Sequence, residues 1–229
     1  IRELKFINWL DTIAKDAHAL YLLGDLFDFW IEYKKVVPKG FVRVLGKLAE
    51  LADAGIRIHY FVGNHDLWMQ DYFEVELNIP VHHAPLEIIW NDKTFLIGHG
   101  DGLGPGDNGY KRMKRVFTNP LAQALFRCLP TRWGIGLGQY LSLKNKMISG
   151  EETPHFLGND KEWLVHYCQE KEKEKKRHYY IFGHLHLPLN ISIDDGATYF
   201  NLGDWIVHDT YAVFDGYKTE LKTWTPTHD

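Results

Sequence analysis

Cysteine is scarce in this chain. Cys128 and Cys168 are the only two in 229 residues, both stand in helically patterned segments, and no Cys-x-x-Cys pair exists. A disulfide framework is excluded, and both residues read as reduced thiols of a cytosolic-type protein. No apolar run reaches the roughly 18 residues that a membrane-crossing helix needs. No secretory leader is visible either; the chain opens inside a helical pattern, so its true beginning is expected upstream of Ile1. Positive charge is not in excess. Lys and Arg number 26 against 30 Asp and Glu, a net charge of -4, which argues against general nucleic-acid binding. Internal repeats and low-complexity segments are also missing, and 45% hydrophobic content suffices for one large core domain carrying an insertion.

What is present alternates between two periods. Leu4, Ile7, Leu10, Ile13 and Ala14 give residues 1–17 one apolar helical stripe, and residues 18–24 follow as a strand. Phe41, Val44, Leu45, Leu48 and Leu51 make residues 41–54 a second amphipathic helix stopped by Gly55, and residues 57–63 return as a strand. That order implies parallel pairing through right-handed crossovers. Residues 86–90 and 94–98 form a hairpin about Asn91-Asp92-Lys93, and residues 159–176 form another helix whose closing Glu/Lys run is a solvated face. The last fifth holds short β-rich runs at 178–182, 189–193, 198–202, 211–214 and 220–224, which read as an antiparallel meander. The expected architecture is α/β: two packed sheets with helices outside.

Chemistry concentrates where strands end. Gly24-Asp25, Gly63-Asn64-His65-Asp66, Gly98-His99-Gly100-Asp101 and Gly183-His184-Leu185-His186 each follow an apolar, β-rich run. Open α/β sheets keep their ligands at such ends. Adjacent Asn64 and His65 on a tight turn diverge, so one can hold a metal while the other faces substrate. Alternation in an extended segment would put His184 and His186 on one face, suited to neighbouring metal positions. Hard carboxylate, amide and imidazole donors converging from four strand ends point to a metal site of the Mn²⁺ or Mg²⁺ type.

The series Gly-Asp-x-x-Asp, Gly-Asn-His-Asp, Gly-His and Gly-His-x-His, in this order and across nearly the whole chain, resembles the calcineurin-like metallophosphoesterase superfamily. The resemblance implies a two-sheet sandwich flanked by helices (αββα). It also implies two divalent metal ions, Mn²⁺ with Zn²⁺ or Fe as alternatives. Asp25 would bridge them, Asn64, His99 and His184 would complete one site, and His186 would belong to the other. His65 would be the catalytic, non-ligand histidine beside the transferring phosphoryl group. Asp28, Asp66 and Asp101 would orient the ligands from behind. The superfamily opens with Asp-x-His on a first strand; that motif is absent here, and its strand is expected upstream of Ile1. After His99, Gly-Asp, Asp107-x-x-Tyr110, Pro120 and Leu129-Pro130 resemble the UDP-2,3-diacylglucosamine hydrolases of lipid A synthesis, whose proteobacterial branch often has Arg where His65 stands.

The segment 105–150 also speaks through its residues. Between Lys111 and Lys146 lie eight basic residues and no acidic one, interleaved with Phe117, Leu121, Leu125, Phe126, Trp133 and Leu137. A basic and apolar cap inserted into a core of residues 1–104 and 151–229 fits an anionic amphiphile or an anionic bilayer surface. The expectation is therefore a metal-dependent hydrolase of a lipid-linked UDP-sugar, cytoplasmic and peripheral to the inner membrane. Asn64, Asp107, Tyr110, Lys146 and His184 are its candidate substrate contacts. A metallophosphoesterase of other substrate and a non-catalytic binding member of the superfamily are the alternatives.

Overall fold

The computed structural model describes residues 2–106, 108–148, 156, 158, 161–193 and 196–226. In chain order the elements are α1 (Arg2–Ile13), β1 (Ala19–Leu22), α2 (Val42–Asp53), β2 (Arg57–Phe61), α3 (Tyr72–Leu77), β3 (Val81–His82), β4 (Leu86–Trp90) and β5 (Lys93–Gly98). Then follow α4 (Asn108–Phe117), α5 (Pro120–Arg127), α6 (Thr131–Ile148), α7 (Trp163–Glu174), β6 (Tyr179–Phe182), β7 (Pro188–Ser192), β8 (Thr198–Leu202), β9 (Thr210–Phe214) and β10 (Thr219–Thr223).

Strand alternation sorts the apolar residues into three layers. Leu20, Leu22, Ile58 and Tyr60 turn one face of the parallel sheet β1-β2-β3 toward Phe6 and Leu10 of α1 and Leu48 and Leu51 of α2. Leu23 and Phe61 point the other way, against Phe95, Ile97, Ile181 and Phe200 of a five-stranded sheet ordered β4-β5-β6-β8-β7. The outer face of that second sheet presents Leu96, Tyr180, Phe182 and Tyr199 to Leu164, Val165 and Cys168 of α7. The ribbon β9-β10 extends the first layer, with Phe214 and Leu221 toward the second sheet and Tyr211 against Trp9 of α1 at 5.3 Å. This is an α/β sandwich of two sheets with helices outside.

The meander read from the last fifth is corrected in part. β6 pairs parallel with both β5 and β8, whereas β7 with β8 and β9 with β10 are antiparallel. The helix α7 between β5 and β6 makes a crossover, and β7 runs to the sheet edge so that β8 returns between it and β6. Turn residues between short β-runs do not distinguish a hairpin from a strand that skips its neighbour. α3 and β3 were not legible: six and two residues are too few for a period.

The helices α4, α5 and α6 form a cap over residues 108–148. Asn119 caps α5, accepting from Leu121 N at 2.9 Å and Ala122 N at 3.2 Å with Pro120 in its first turn. The cap rests on two loops that follow β1 and β2. Phe126 meets Trp68 edge-on at 4.4 Å, and Gln70 Nε2 donates to Gln123 Oε1 at 3.3 Å. In α6, Gly134 and Gly138 lie so close to Tyr33 and Phe29 that a Cβ would come within 1.8 Å and 2.0 Å of their rings' outer atoms.

Candidate metal centre

The loops after β1, β2, β5 and β6 meet on one side of the sandwich because each strand pair runs parallel and ends in register. Glycines make the approach close enough. A Cβ on Gly24 would sit 2.7 Å from Gly63 N and from His99 Nδ1, and one on Gly63 would sit 2.3 Å from Asp25 Oδ1. Asp25 itself is left-handed at φ 54°, which turns its carboxylate back over the strand ends.

Four donor groups converge there. His99 Nε2 lies 3.3 Å from Asp25 Oδ2 and 3.2 Å from Asn64 Oδ1. His184 Nδ1 lies 2.8 Å from Asn64 Oδ1 and 3.2 Å from His99 Nε2. Among the described residues, Asp25, His99 and His184 form a group whose ligand atoms all lie within 4.8 Å of one another. His99 Nδ1 is 2.6 Å from the Leu23 carbonyl, a contact that makes Nδ1 the donor and aims Nε2 inward, as second partners of metal-bound imidazoles do.

The electrostatics of the cluster favour a cation. Burial works against charge on both Asp25 and His99, yet each outweighs it in the other. Asp25, with further help from the His65 amide at 2.8 Å, is held well below the ordinary carboxylate range. His99 is pushed up to about 9. His184 is pushed down to about 4, by burial first and by His99 next, so its ring is a neutral donor at physiological pH. An amide oxygen and two inward imidazole nitrogens this close cannot all be satisfied by one another. A divalent cation fits: hard oxygens and imidazoles are its donors, and its charge replaces the proton that His99 otherwise takes up.

The supporting residues are built in. Asp66 is fully buried, accepting from Gly63 N at 2.5 Å and from the Tyr60 hydroxyl, which braces the turn carrying Asn64 and His65. Burial and the nearby Asp25 raise its carboxyl to about 7. Asp101, also buried, accepts from Lys114 Nζ at 2.7 Å and from the Tyr110 hydroxyl. His65 lies with Nδ1 3.1 Å from the Asp28 carbonyl, so Asp28 meets it through its backbone. Asp107 lies outside the described residues, as does the side chain of Lys146.

His186 departs from the expected geometry. The segment 183–186 is not extended, since His184 and His186 have φ of 70° and 53°. His186 Nδ1 sits 3.6 Å from Asp204 Oδ2 and is not in the three-residue group. Gly203-Asp204 after β8 repeats the Gly24-Asp25 pattern. Asp204 Oδ1 accepts from the amides of Ile206, Val207 and His208 at 3.0, 2.8 and 3.1 Å; these outweigh burial and lower its pKa. Asn201, fully buried in β8, donates to the Gly183 carbonyl and anchors the His184 loop. An amide inside Thr-Tyr-Phe-Asn-Leu was the available signal.

A two-sheet αββα sandwich with Asp, Asn and His donors gathered at its strand ends is the architecture of a metallophosphoesterase. A curated relative named "UDP-2,3-diacylglucosamine hydrolase" from Porphyromonas gingivalis is 40% identical over 234 residues, covering 96% of this chain and 89% of the relative. Relatives of the same name from Ectopseudomonas mendocina and Edwardsiella ictaluri are 30% and 28% identical, covering 87% and 94% of this chain and 82% and 83% of their own lengths. The chain belongs to the UDP-2,3-diacylglucosamine hydrolase family. No protein-family model matches it. Among solved structures, a predicted phosphoesterase from Streptococcus pneumoniae aligns over 96% of this chain and 82% of its own at a TM-score of 0.41 and 15% identity.

Proposed function

We propose that this chain hydrolyses the pyrophosphate of UDP-2,3-diacylglucosamine to UMP and 2,3-diacylglucosamine 1-phosphate. The observation that carries the reading is the convergence of Asp25, Asn64, His99 and His184 in a chain 40% identical to a relative bearing that enzyme name. Asp25, Asn64, His99 and His184 would hold one divalent cation, and Asp25 with His186 would contribute to a second. Manganese is the preferred ion, zinc and iron the alternatives. Bound ions supply charge neutralisation at the phosphoryl oxygens and an acidified water.

The residues of the chain do the rest. Asn64 and His184 orient the phosphate oxygens. His65, held by the Asp28 carbonyl, carries a proton at the developing charge or the leaving oxygen. Asp66 and Asp101 hold the Asn64 turn and the His99 loop in place. Asp107, Tyr110 and Lys146 are assigned to the substrate's polar groups, Tyr110 from its seat on Asp101.

No helix among the described residues is long and apolar enough to cross a membrane. The cap nevertheless exposes Leu121, Leu125 and Trp133 at 69%, 64% and 70%, and Arg112, Arg115 and Arg132 are exposed on it as well. We assign this face to the acyl chains and to peripheral contact with an anionic membrane on the cytoplasmic side. Phosphorus NMR of purified protein with the diacyl substrate tests the reaction. UMP and the lipid phosphate form, formation stops on chelation, and added Mn²⁺ restores it; undiminished hydrolysis after thorough chelation contradicts the reading.

A further inference from the structure

His186 and Asp204 stand opposite each other because of a strand register. β7 and β8 pair antiparallel with Pro188 against Leu202, so the residue two before β7 faces the residue two after β8. The turn that carries Asp204 is closed on itself. Gly203 takes φ 71°, and a Cβ there would come within 2.6 Å of Thr210 Oγ1 and 3.1 Å of the Pro188 ring, so a larger residue would push both aside. Asp209 N donates to the Asp204 carbonyl at 2.8 Å, and Trp224 N donates to the Asp209 carbonyl at 2.8 Å.

The two carboxylate oxygens of Asp204 have different partners. Oδ1 accepts from the amides of Ile206, Val207 and His208, which is all that the turn requires of this side chain. Oδ2 takes no part in those bonds and lies 3.6 Å from His186 Nδ1. That gap is longer than a hydrogen bond, and a small rotation of the His186 ring, whose side chain is 44% exposed, closes it. A carboxylate only accepts, so the hydrogen between them belongs to Nδ1, and Nε2 keeps its lone pair.

We propose that Asp204 is a positioning residue for His186: it holds the imidazole in the Nδ1-H tautomer and so reserves Nε2 as the ligand atom for a divalent cation. This rests on the reading of His186 as a ligand of the second ion. The turn amides fix the carboxylate, and the carboxylate fixes the ring. His99 supplies the parallel at the other ion, where the Leu23 carbonyl, 2.6 Å away, takes the Nδ1 hydrogen and leaves Nε2 inward. A carboxylate in that role also raises the basicity of the coordinating nitrogen.

Asp204→Asn is the discriminating change. Its carboxamide oxygen still accepts from the turn amides, whereas its amino group replaces Oδ2 and can only donate. Histidine-ring nitrogen NMR of chelator-treated full-length protein, at about pH 8 and well above the ordinary imidazole range, reads the tautomer directly, with His186→Gln identifying the signal. His186 is Nδ1-H in the wild type and Nε2-H in Asp204→Asn. Manganese titration followed by electron paramagnetic resonance then shows the second ion bound about 10–100-fold more weakly in Asp204→Asn and the first unchanged. Asp204→Ala, which also drops the amide bonds, lowers the melting temperature; Asp204→Asn does not. An Nε2-H ring in the wild type, or an Nδ1-H ring that persists in Asp204→Asn, overturns the proposal. So does Asp204→Asn losing as much stability as Asp204→Ala, and so does second-ion affinity that falls in His186→Gln but not in Asp204→Asn. Second-ion affinity untouched by His186→Gln overturns instead the reading of His186 as a ligand.

Discussion

Asp25 and His99 hold their charges through each other, and that pairing makes the metal centre testable residue by residue. Replacing Asp25 with Asn removes the charge that a cation shares with His99, and His99→Ala removes an inward imidazole; metal analysis should show loss of bound ion from either variant, and turnover should fall by several orders of magnitude. Unchanged metal content in both would refute the donor set. Unfolding midpoints should fall as well, because each change leaves the other group's buried charge without its partner. A second residue-scale prediction concerns pH. His59 Nδ1 and His82 Nε2 lie 3.0 Å apart, stacked at the sheet surface. Burial lowers both pKa values; Arg57 adds to the shift of His59, and His59 to that of His82. The folded pair resists protonation while the unfolded chain accepts protons near 6.5. Stability is therefore full above that pH and is lost as pH falls through it toward the folded values. Urea midpoints between about pH 7 and about pH 5 should show the loss, and His82→Asn should shrink it. Equal slopes in the two proteins would remove the pair from the account. Asp25, Asn64, His99 and His184 were legible from sequence because each follows an apolar run and a glycine. Asp204 and Asn201 were not, since a carboxylate in a turn and an amide in a strand have many commoner uses.

At the scale of elements, the joint between cap and core is the part that sequence concealed most. Gly134 and Gly138 look like poor choices inside a helix, costing about 1 kcal/mol each relative to Ala. The structure explains them: Tyr33 and Phe29 occupy the space where their side chains would be. Those two aromatics continue the loop that carries Asp25, and Trp68 and Gln70 continue the one that carries Asn64 and His65. Trp30 N donates to the His65 carbonyl at 3.1 Å, and Ile31 bridges to Trp68, so the two loops are tied to each other beneath the cap. Gly138→Ala would gain about 1 kcal/mol of helix propensity but lose about 1–3 kcal/mol to overpacking against Phe29. Overpacking wins, and α6 lifts. The expected result is a raised KM for the diacyl substrate with near-normal hydrolysis of a small artificial phosphodiester; equal loss on both would mean that the substitution reaches the metal loops instead. Phe126 packs edge-on against Trp68 and belongs to the joint.

At the scale of the molecule, charge is divided. The cap segment from Lys111 to Lys146 carries eight basic residues and no acidic one within a chain of net charge -4. The layered core was legible because period-2 and period-3.6 patterns alternate cleanly over residues 2–24, 41–63 and 86–98. The mixed pairing of the last fifth was not, because pairing depends on which strand lies between which. The cap's outward face predicts association with vesicles of anionic lipid, weakened by salt. Reversing Arg112, Arg115 and Arg132 should cost about 1 kcal/mol of partitioning for each charge removed. Partitioning indifferent to those charges would leave the exposed leucines and Trp133 to the substrate alone.

The central claim is that metal-centred pyrophosphate hydrolysis here is directed to a doubly acylated UDP-sugar. The most direct measurement is kcat/KM for UDP-2,3-diacylglucosamine against UDP-N-acetylglucosamine, which shares the pyrophosphate and lacks the long chains. Each buried methylene contributes about 0.8 kcal/mol, so partial burial of two chains on the cap outweighs most contacts to the uridine. The account predicts a preference of several orders of magnitude for the diacyl compound, reduced when Leu121 and Leu125 become Asp. Near-equal values for the two UDP-sugars would contradict it and leave a general pyrophosphatase with a structural cap.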